Sequence, residues 1–138
     1  MKAFDLTQEP IDTEAWRGRL FDKTCGGYAA FEGWVRDHNE GLEVVRLEYE
    51  VYDALARSEG LKILSEAVER FGVTRAACVH RYGGLELGDV AVWVGVAAAR
   101  SRASLASSHC DSRASIADCN SALVRDRSSI SVLRSGSE

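Results

Sequence analysis

Serine is almost confined to one end of this 138-residue chain. Residues 1–100 contain two serines, Ser58 and Ser65, whereas residues 101–138 contain twelve and have neither an aromatic residue nor a lysine. A segment so rich in serine and so poor in large apolar side chains contributes little to a packed core. We therefore expect residues 1–100 to form the folded domain and residues 101–138 to be an atypical tail, either disordered or out of frame.

The charge balance excludes one broad class of function. The chain has 17 basic and 21 acidic residues, which gives a formal net charge of −4. Domains that bind nucleic acid are usually basic, so we expect no nucleic-acid partner. No stretch approaches the roughly 20 apolar residues of a membrane span, and no basic and apolar leader begins the chain. We expect a cytoplasmic protein without a membrane partner.

The four cysteines predict neither a disulfide framework nor a metal site. Cys25, Cys78, Cys110 and Cys119 are widely spaced and include no CxxC pair. Adding His109 to the last two gives no common zinc-ligand spacing. We expect free thiols and no bound metal.

Helical and alternating hydrophobic patterns follow each other along the first hundred residues. Period-two alternation predicts strands over residues 28–35 and 42–52, which we expect to pair as neighbours. Helical spacing predicts a short helix over residues 12–22 and a long one over residues 53–71, with Gly72 as its C-terminal stop. Two further strands are predicted over residues 73–82 and 90–97, the last of them buried on both faces. The fold class is α+β, with helices packed on a mostly antiparallel sheet.

Three segments, in this order and spacing, resemble one known family. They read GxVRxHN over residues 33–39, LExE over residues 47–50 and HRxGxLxxGD over residues 80–89. Together with the patterns around them, they resemble the large, catalytic subunit of molybdopterin synthase, the MoaE family, over residues 1–99. So many fixed positions in order are far more specific than a single glycine motif.

The resemblance implies sulfur transfer in molybdenum cofactor biosynthesis. In that family a small ubiquitin-like subunit carries a thiocarboxylate on its C-terminal glycine and inserts this tail into the large subunit. Its sulfur goes to cyclic pyranopterin monophosphate to form the dithiolene of molybdopterin. The large subunits form a homodimer with a small subunit at each end, a heterotetramer, and the step needs no metal or organic cofactor.

The resemblance also implies a substrate site. It places Trp34, Val35 and Arg36 against the substrate, and a guanidinium at Arg36 suits an anionic cyclic phosphate because it can bind two phosphate oxygens. The family's His-Arg pair for the substrate aligns with Arg100 and Ser101.

Two histidines allow more than one role. His38 is a possible neighbour of the site, since an imidazole can move protons during thiol addition. A turn histidine that holds its loop by hydrogen bonding is an equal alternative. His80 is interpreted as structural, because no cysteine or acidic cluster accompanies it.

The resemblance fails after residue 100, where the family's catalytic lysines are expected. The last lysine of the sequence is Lys62, so no catalytic residue is identified. A neutral serine cannot supply the positive charge that a lysine places near the partner's carbonyl. We expect strongly impaired synthase activity; the alternative is a catalytically inactive module that still dimerises or docks the small subunit.

Three origins of residues 101–138 are open. A shift in reading frame near codon 100 keeps every residue before it and replaces everything after it, and the abrupt change favours this origin. The others are a genuine divergent extension and a Ser/Arg-rich disordered interaction tail. Resequencing codons 95–105 separates the first origin from the other two, because an intact frame in independent DNA excludes the shift.

Overall fold

The computed structural model describes residues 1–39 and 42–99 of the chain. Within them lie two helices and eight strands. The helices are α1 (Thr13–Leu20) and α2 (Asp53–Phe71). The strands are β1 (Lys2–Thr7), β2 (Gly27–Trp34), β3 (His38–Asn39), β4 (Leu42–Glu43), β5 (Arg46–Tyr49), β6 (Arg75–Arg81), β7 (Gly83–Glu86) and β8 (Val90–Ala98).

The main sheet has four strands in the order β1-β6-β8-β2. β1 and β6 are parallel, whereas β6 and β2 both pair with β8 in antiparallel register. The apolar run predicted as a doubly covered strand is β8, which lies inside the sheet and is buried over most of its length. The predicted α+β class with a mostly antiparallel sheet is confirmed.

Each helix covers one face of this sheet. Alternate residues of β8 divide between the faces: Val92 and Val94 pack in the cluster that includes Leu64 of α2, and Trp93 packs with Trp16 and Leu20 of α1. Period-two alternation places successive side chains on opposite faces, so one strand serves both cores.

Both predicted helices are present: α2 has the predicted bounds, and α1 is shorter than the predicted range 12–22. The carboxylate of Asp12 accepts the Ala15 N–H over 2.9 Å and so caps α1. At the C-terminal end of α2, Gly72 adopts the left-handed conformation with φ of 61°, and its N–H donates to the Val68 carbonyl. A glycine takes this conformation without a side-chain clash, which explains the stop.

Three features of the strands differ from the sequence-based prediction. The prediction that the strands of residues 28–35 and 42–52 pair is wrong: β2 pairs with β8, and β5 pairs with β7. The region 42–52 is itself divided into β4, which forms a small hairpin with β3, and β5. The edge strand β1 was not predicted at all. Its short pattern, with Phe4 and Leu6 buried, finds its partner β6 about seventy residues later in the chain.

A third cluster joins the two-stranded sheet of β5 and β7 to the main sheet. It consists of Val35, Leu85 and Ala91, with Leu47 and Tyr49 packed against them. Leu85 is completely buried. This cluster fixes the end of β2, where the predicted substrate residues begin.

Candidate functional site

The end of β2 carries three consecutive predicted site residues in different environments. Trp34 is 67% exposed, and its indole N–H donates to Glu32 over 3.2 Å. Val35 is 6% exposed and lies in the third core cluster. Its N–H donates to the Asp89 carbonyl, and its carbonyl accepts the Gly88 N–H. Val35 thus anchors the backbone, and its exposed neighbours are held on either side of it.

Arg36 follows this anchor with its guanidinium exposed. Nη2 donates to Oδ1 of Asn39 over 3.2 Å. Among residues 1–39 and 42–99, no carboxylate lies within ion-pair distance of this guanidinium. The bond to a neutral amide orients the side chain, and no described carboxylate compensates its positive charge. Such a group can bind an anion, and a phosphate in particular through two parallel hydrogen bonds.

His38 is held by its neighbour in the loop after β2. Its Nδ1 lies 2.6 Å from Oδ1 of Asp37, and this hydrogen bond holds the pKa of the Asp37 carboxyl below its ordinary value. The Asp37 carbonyl in turn accepts the Val44 N–H over 2.8 Å. These contacts match the alternative in which His38 stabilises its loop; a role in proton transfer stays a prediction.

The HRxGxLxxGD segment is hydrogen-bonded to the start of the loop that carries Arg36. Nη1 of Arg81 donates to Oδ2 of Asp89 over 2.9 Å, and the same carboxylate oxygen accepts the Glu86 N–H. Arg81 is only 8% exposed. Since Asp89 also receives the Val35 N–H on its carbonyl, the ion pair and the end of β2 are fixed to the same residue.

His80 is buried away from this loop. It is 7% exposed, and its ring packs edge-on against Tyr49 with 5.2 Å between the ring centroids. Burial lowers its pKa below the ordinary value. This environment agrees with its interpretation as a structural histidine.

The other predicted substrate residues, Arg100 and Ser101, lie outside the described residues. So do Cys110, Cys119 and His109. The described chain reaches β8, whose last residue, Ala98, pairs with Gly27. Trp34 pairs with Val90 at the opposite end of the same two strands.

One known protein family matches most of this chain. The model of the family described as MoaE protein matches residues 6–110, which is well over half of the chain. The chain belongs to the MoaE family. The family assignment from the three sequence motifs, and with it the place in molybdopterin biosynthesis, is confirmed. The matched range includes the first ten residues of the serine-rich segment, and the domain boundary at residue 100 stays a prediction.

Individual relatives of this MoaE chain agree with the assignment. A protein of Staphylococcus epidermidis named molybdopterin synthase catalytic subunit is 33% identical over 106 residues, which cover 77% of this chain and 71% of that protein. A crystal structure of molybdopterin synthase from Staphylococcus aureus superposes with a TM-score of 0.75 at 25% identity, covering 93% of this chain and 96% of that one. A complex of subunits 1 and 2 of molybdopterin-converting factor from Helicobacter pylori shares the fold, with a TM-score of 0.59 at 17% identity.

Among residues 1–39 and 42–99, no three or more His, Cys, Asp or Glu side chains are grouped to hold a metal ion. No helix in this part of the MoaE chain is long and apolar enough to cross a membrane. Cys78 is buried in the core and Cys25 is half-buried.

Two residues of the MoaE site region were missed from the sequence. Asn39 orients Arg36, and Asp89 joins Arg81 to the end of β2. The signal was present in both cases, since each residue closes one of the motifs, GxVRxHN and HRxGxLxxGD. A charged or amide residue at the end of a glycine-containing turn often bonds back to the segment before it.

Proposed function

We propose that this chain is the large subunit of a molybdopterin synthase in which substrate binding is retained and sulfur transfer is impaired. The reaction moves sulfur from the C-terminal thiocarboxylate of a small ubiquitin-like subunit to cyclic pyranopterin monophosphate. The observation that carries the proposal is Arg36, an exposed guanidinium without a carboxylate partner in the described chain, held by Asn39 and by the anchored Val35.

The family resemblance supports a proposal for the partner and the assembly. The Helicobacter pylori complex of subunits 1 and 2 supports a small-subunit partner for proteins of this fold. We propose a homodimer of this chain as the core of a heterotetramer, with Trp34, Arg36, Arg100 and Ser101 around the substrate phosphate and His38 nearby. A cytoplasmic location also stays a prediction.

The strand register favours a site shared by two chains. Gly27 and Trp34 are seven residues apart in β2, a separation of about 24 Å at about 3.4 Å per residue. The end of β8 lies beside Gly27, whereas Arg36 follows Trp34. We propose that Arg36 of one chain and Arg100 of the other bind the same phosphate, because β8 ends beside Gly27, away from Arg36, and Arg100 comes two residues after Ala98 in the sequence.

Substrate binding tests the role of Arg36 without requiring turnover. In a titration of the full chain with cyclic pyranopterin monophosphate, Arg36→Ala should weaken binding by about tenfold, since a charge-assisted pair is lost. Arg70→Ala, on the surface of α2, is the control and should bind like the unmodified chain. Equal affinity of the Arg36→Ala variant and the control would contradict the assignment.

A second candidate function has its own observation. Because the last lysine is Lys62, the chain carries no lysine where the family's catalytic ones are expected. In this second function the chain is a catalytically inactive module that docks the small subunit and dimerises. Binding of the small subunit with no detectable dithiolene product would favour this alternative.

A further inference from the structure

A cavity of about 250 Å³ opens between α2, the segment that precedes it and β1. Its apolar wall includes Phe4 and Leu6 of β1, Tyr49 of β5 and Leu55 of α2. The cavity is separate from the described part of the loop after β2, since none of residues 35–39 lines it. Its volume is slightly below the range of about 300 to 1,000 Å³ that is usual for drug-sized ligands, so it suits a smaller molecule.

A buried hydrogen-bond acceptor lines this cavity. Nδ1 of His80 lies 2.7 Å from the Arg81 carbonyl oxygen, and a carbonyl can only accept, so Nδ1 donates its proton. Burial lowers the pKa of the ring and so favours its neutral form. Nε2 therefore has a free lone pair, and it has no hydrogen-bond partner within residues 1–39 and 42–99. His80 is 7% exposed, and a buried polar atom of this kind normally has a partner.

The rim of the cavity is negatively charged. Glu50, Glu59 and Glu66 line it together with one cation, Lys62. In the described part of the chain none of these four side chains forms an ion pair or a side-chain hydrogen bond. Three unpaired carboxylates against one ammonium favour a positively charged ligand.

We propose that this cavity binds a small arylalkylamine, with its aromatic body between Phe4 and Tyr49, its ammonium at Glu59 and Glu66, and a ring N–H donated to Nε2 of His80. The aromatic ring of the ligand contacts the apolar wall, its ammonium lies at the unpaired carboxylates, and its N–H donates to the buried acceptor. An aromatic ring is favoured because its edges and faces pack well against Tyr49 and Phe4.

Three related probes separate these contributions in calorimetric or NMR titrations of the full chain. Tryptamine carries the ring, the indole N–H and the ammonium. Indole-3-acetate keeps the ring and reverses the charge, and 1-methyltryptamine keeps the charge and removes the N–H donor. We expect tryptamine to bind, indole-3-acetate not to bind, and 1-methyltryptamine to bind about tenfold more weakly.

Matched variants test the residues. Glu59→Gln should weaken tryptamine binding by about tenfold, whereas Glu69→Gln, a carboxylate of the same helix that does not line the cavity, should change it less than about twofold. Glu59 is half-buried and Glu69 is exposed, neither belongs to a core cluster, and circular dichroism checks the fold of both variants. The proposal is overturned if tryptamine fails to bind, if indole-3-acetate binds as tightly, or if the two variants have the same affinity.

Discussion

Arg81 and Asp89 form an ion pair, with 2.9 Å between Nη1 and Oδ2, that joins the end of β6 to the start of β8. Arg81 also donates to the Gln8 carbonyl beyond the end of β1. Since the backbone of Asp89 receives the Val35 N–H, one residue connects the main sheet to the loop that presents Arg36. The charged positions of the HRxGxLxxGD segment thus have a structural role that supports the proposed substrate site.

Removing the charge of Asp89 should destabilise the fold. Asp89→Asn keeps the shape of the side chain but leaves the nearly buried Arg81 without its counter-charge, at a cost of about 2 kcal/mol in the free energy of unfolding. Urea denaturation measures the change. Glu69→Gln, an exposed carboxylate outside this network, is the control and should stay within about 0.5 kcal/mol. A change no larger than that of the control would show that the ion pair is not structural.

The contact between α2 and β1 depends on a glycine. A Cβ built on Gly60 would lie 2.5 Å from Cγ of Phe4, within the ring that packs against the helix. Gly60→Ala should therefore lower the free energy of unfolding by about 1 to 3 kcal/mol through overpacking.

Gly18→Ala is the matched change, because a Cβ on Gly18 of α1 meets nothing within 4 Å. It should stabilise the chain by up to about 1 kcal/mol through helix propensity. Thermal or urea denaturation of the two variants compares them directly. Stabilisation of similar size in both would contradict the close approach of α2 to β1.

Stability should fall in acid through Asp22. Hydrogen bonds from the Thr24 side chain and backbone, and then the contact with Arg75, lower the pKa of Asp22 from 3.8 to about 2. The folded state thus holds this carboxyl ionised where the unfolded state binds a proton, so its stabilisation is complete above about pH 4 and is lost as the pH falls towards 2.

The Asp22→Asn variant isolates this contribution. Urea denaturation curves of both chains are recorded between pH 2 and pH 5 in steps of about half a pH unit. The unmodified chain should be more stable than Asp22→Asn at the upper end, and this difference in the free energy of unfolding should shrink towards the lower end. A difference that stays constant over this range would show that the pKa of Asp22 is not lowered by folding.

A site shared by two chains makes a quantitative prediction for mixed dimers. Arg36→Ala and Arg100→Ala chains should each bind the substrate about tenfold more weakly as homodimers. In an equal mixture half of the dimers combine the two variants, and each of these has one intact site, so about a quarter of the sites should bind normally. Titration with the cyclic pterin measures this fraction. No recovered sites on mixing would contradict the shared site.

Local patterns predicted the helices well and the strand pairing less well. The span of α2 and its stop at Gly72 follow from one stripe of apolar residues and one glycine, which are neighbours in sequence. The partner of β2 could not be found in this way, because β8 is some sixty residues away and the hydrophobic pattern of a strand does not specify its partner. β1 was missed for the same reason, since Phe4 and Leu6 are buried in a strand whose partner, β6, lies far away in the sequence.

The site was predictable only in part. Arg36 was predicted from the chemistry of a phosphate ligand together with the family resemblance, and the structure places it in an exposed loop without a carboxylate partner in the described chain. The cavity beside His80 could not be predicted, because Leu6, Tyr49 and Glu59 come from three separate elements. Only the packing of α2 over β1 brings them together.

Dithiolene formation tests the central claim most directly. The full chain is mixed with thiocarboxylated small subunit and cyclic pyranopterin monophosphate, and molybdopterin is measured against the molybdopterin synthase of Staphylococcus aureus under the same conditions. We expect the small subunit and the substrate to bind while product forms on the order of 100-fold to 1,000-fold more slowly, because no lysine stabilises the developing charge. Product formation at the rate of the Staphylococcus aureus enzyme, or failure to bind the small subunit, would contradict this account.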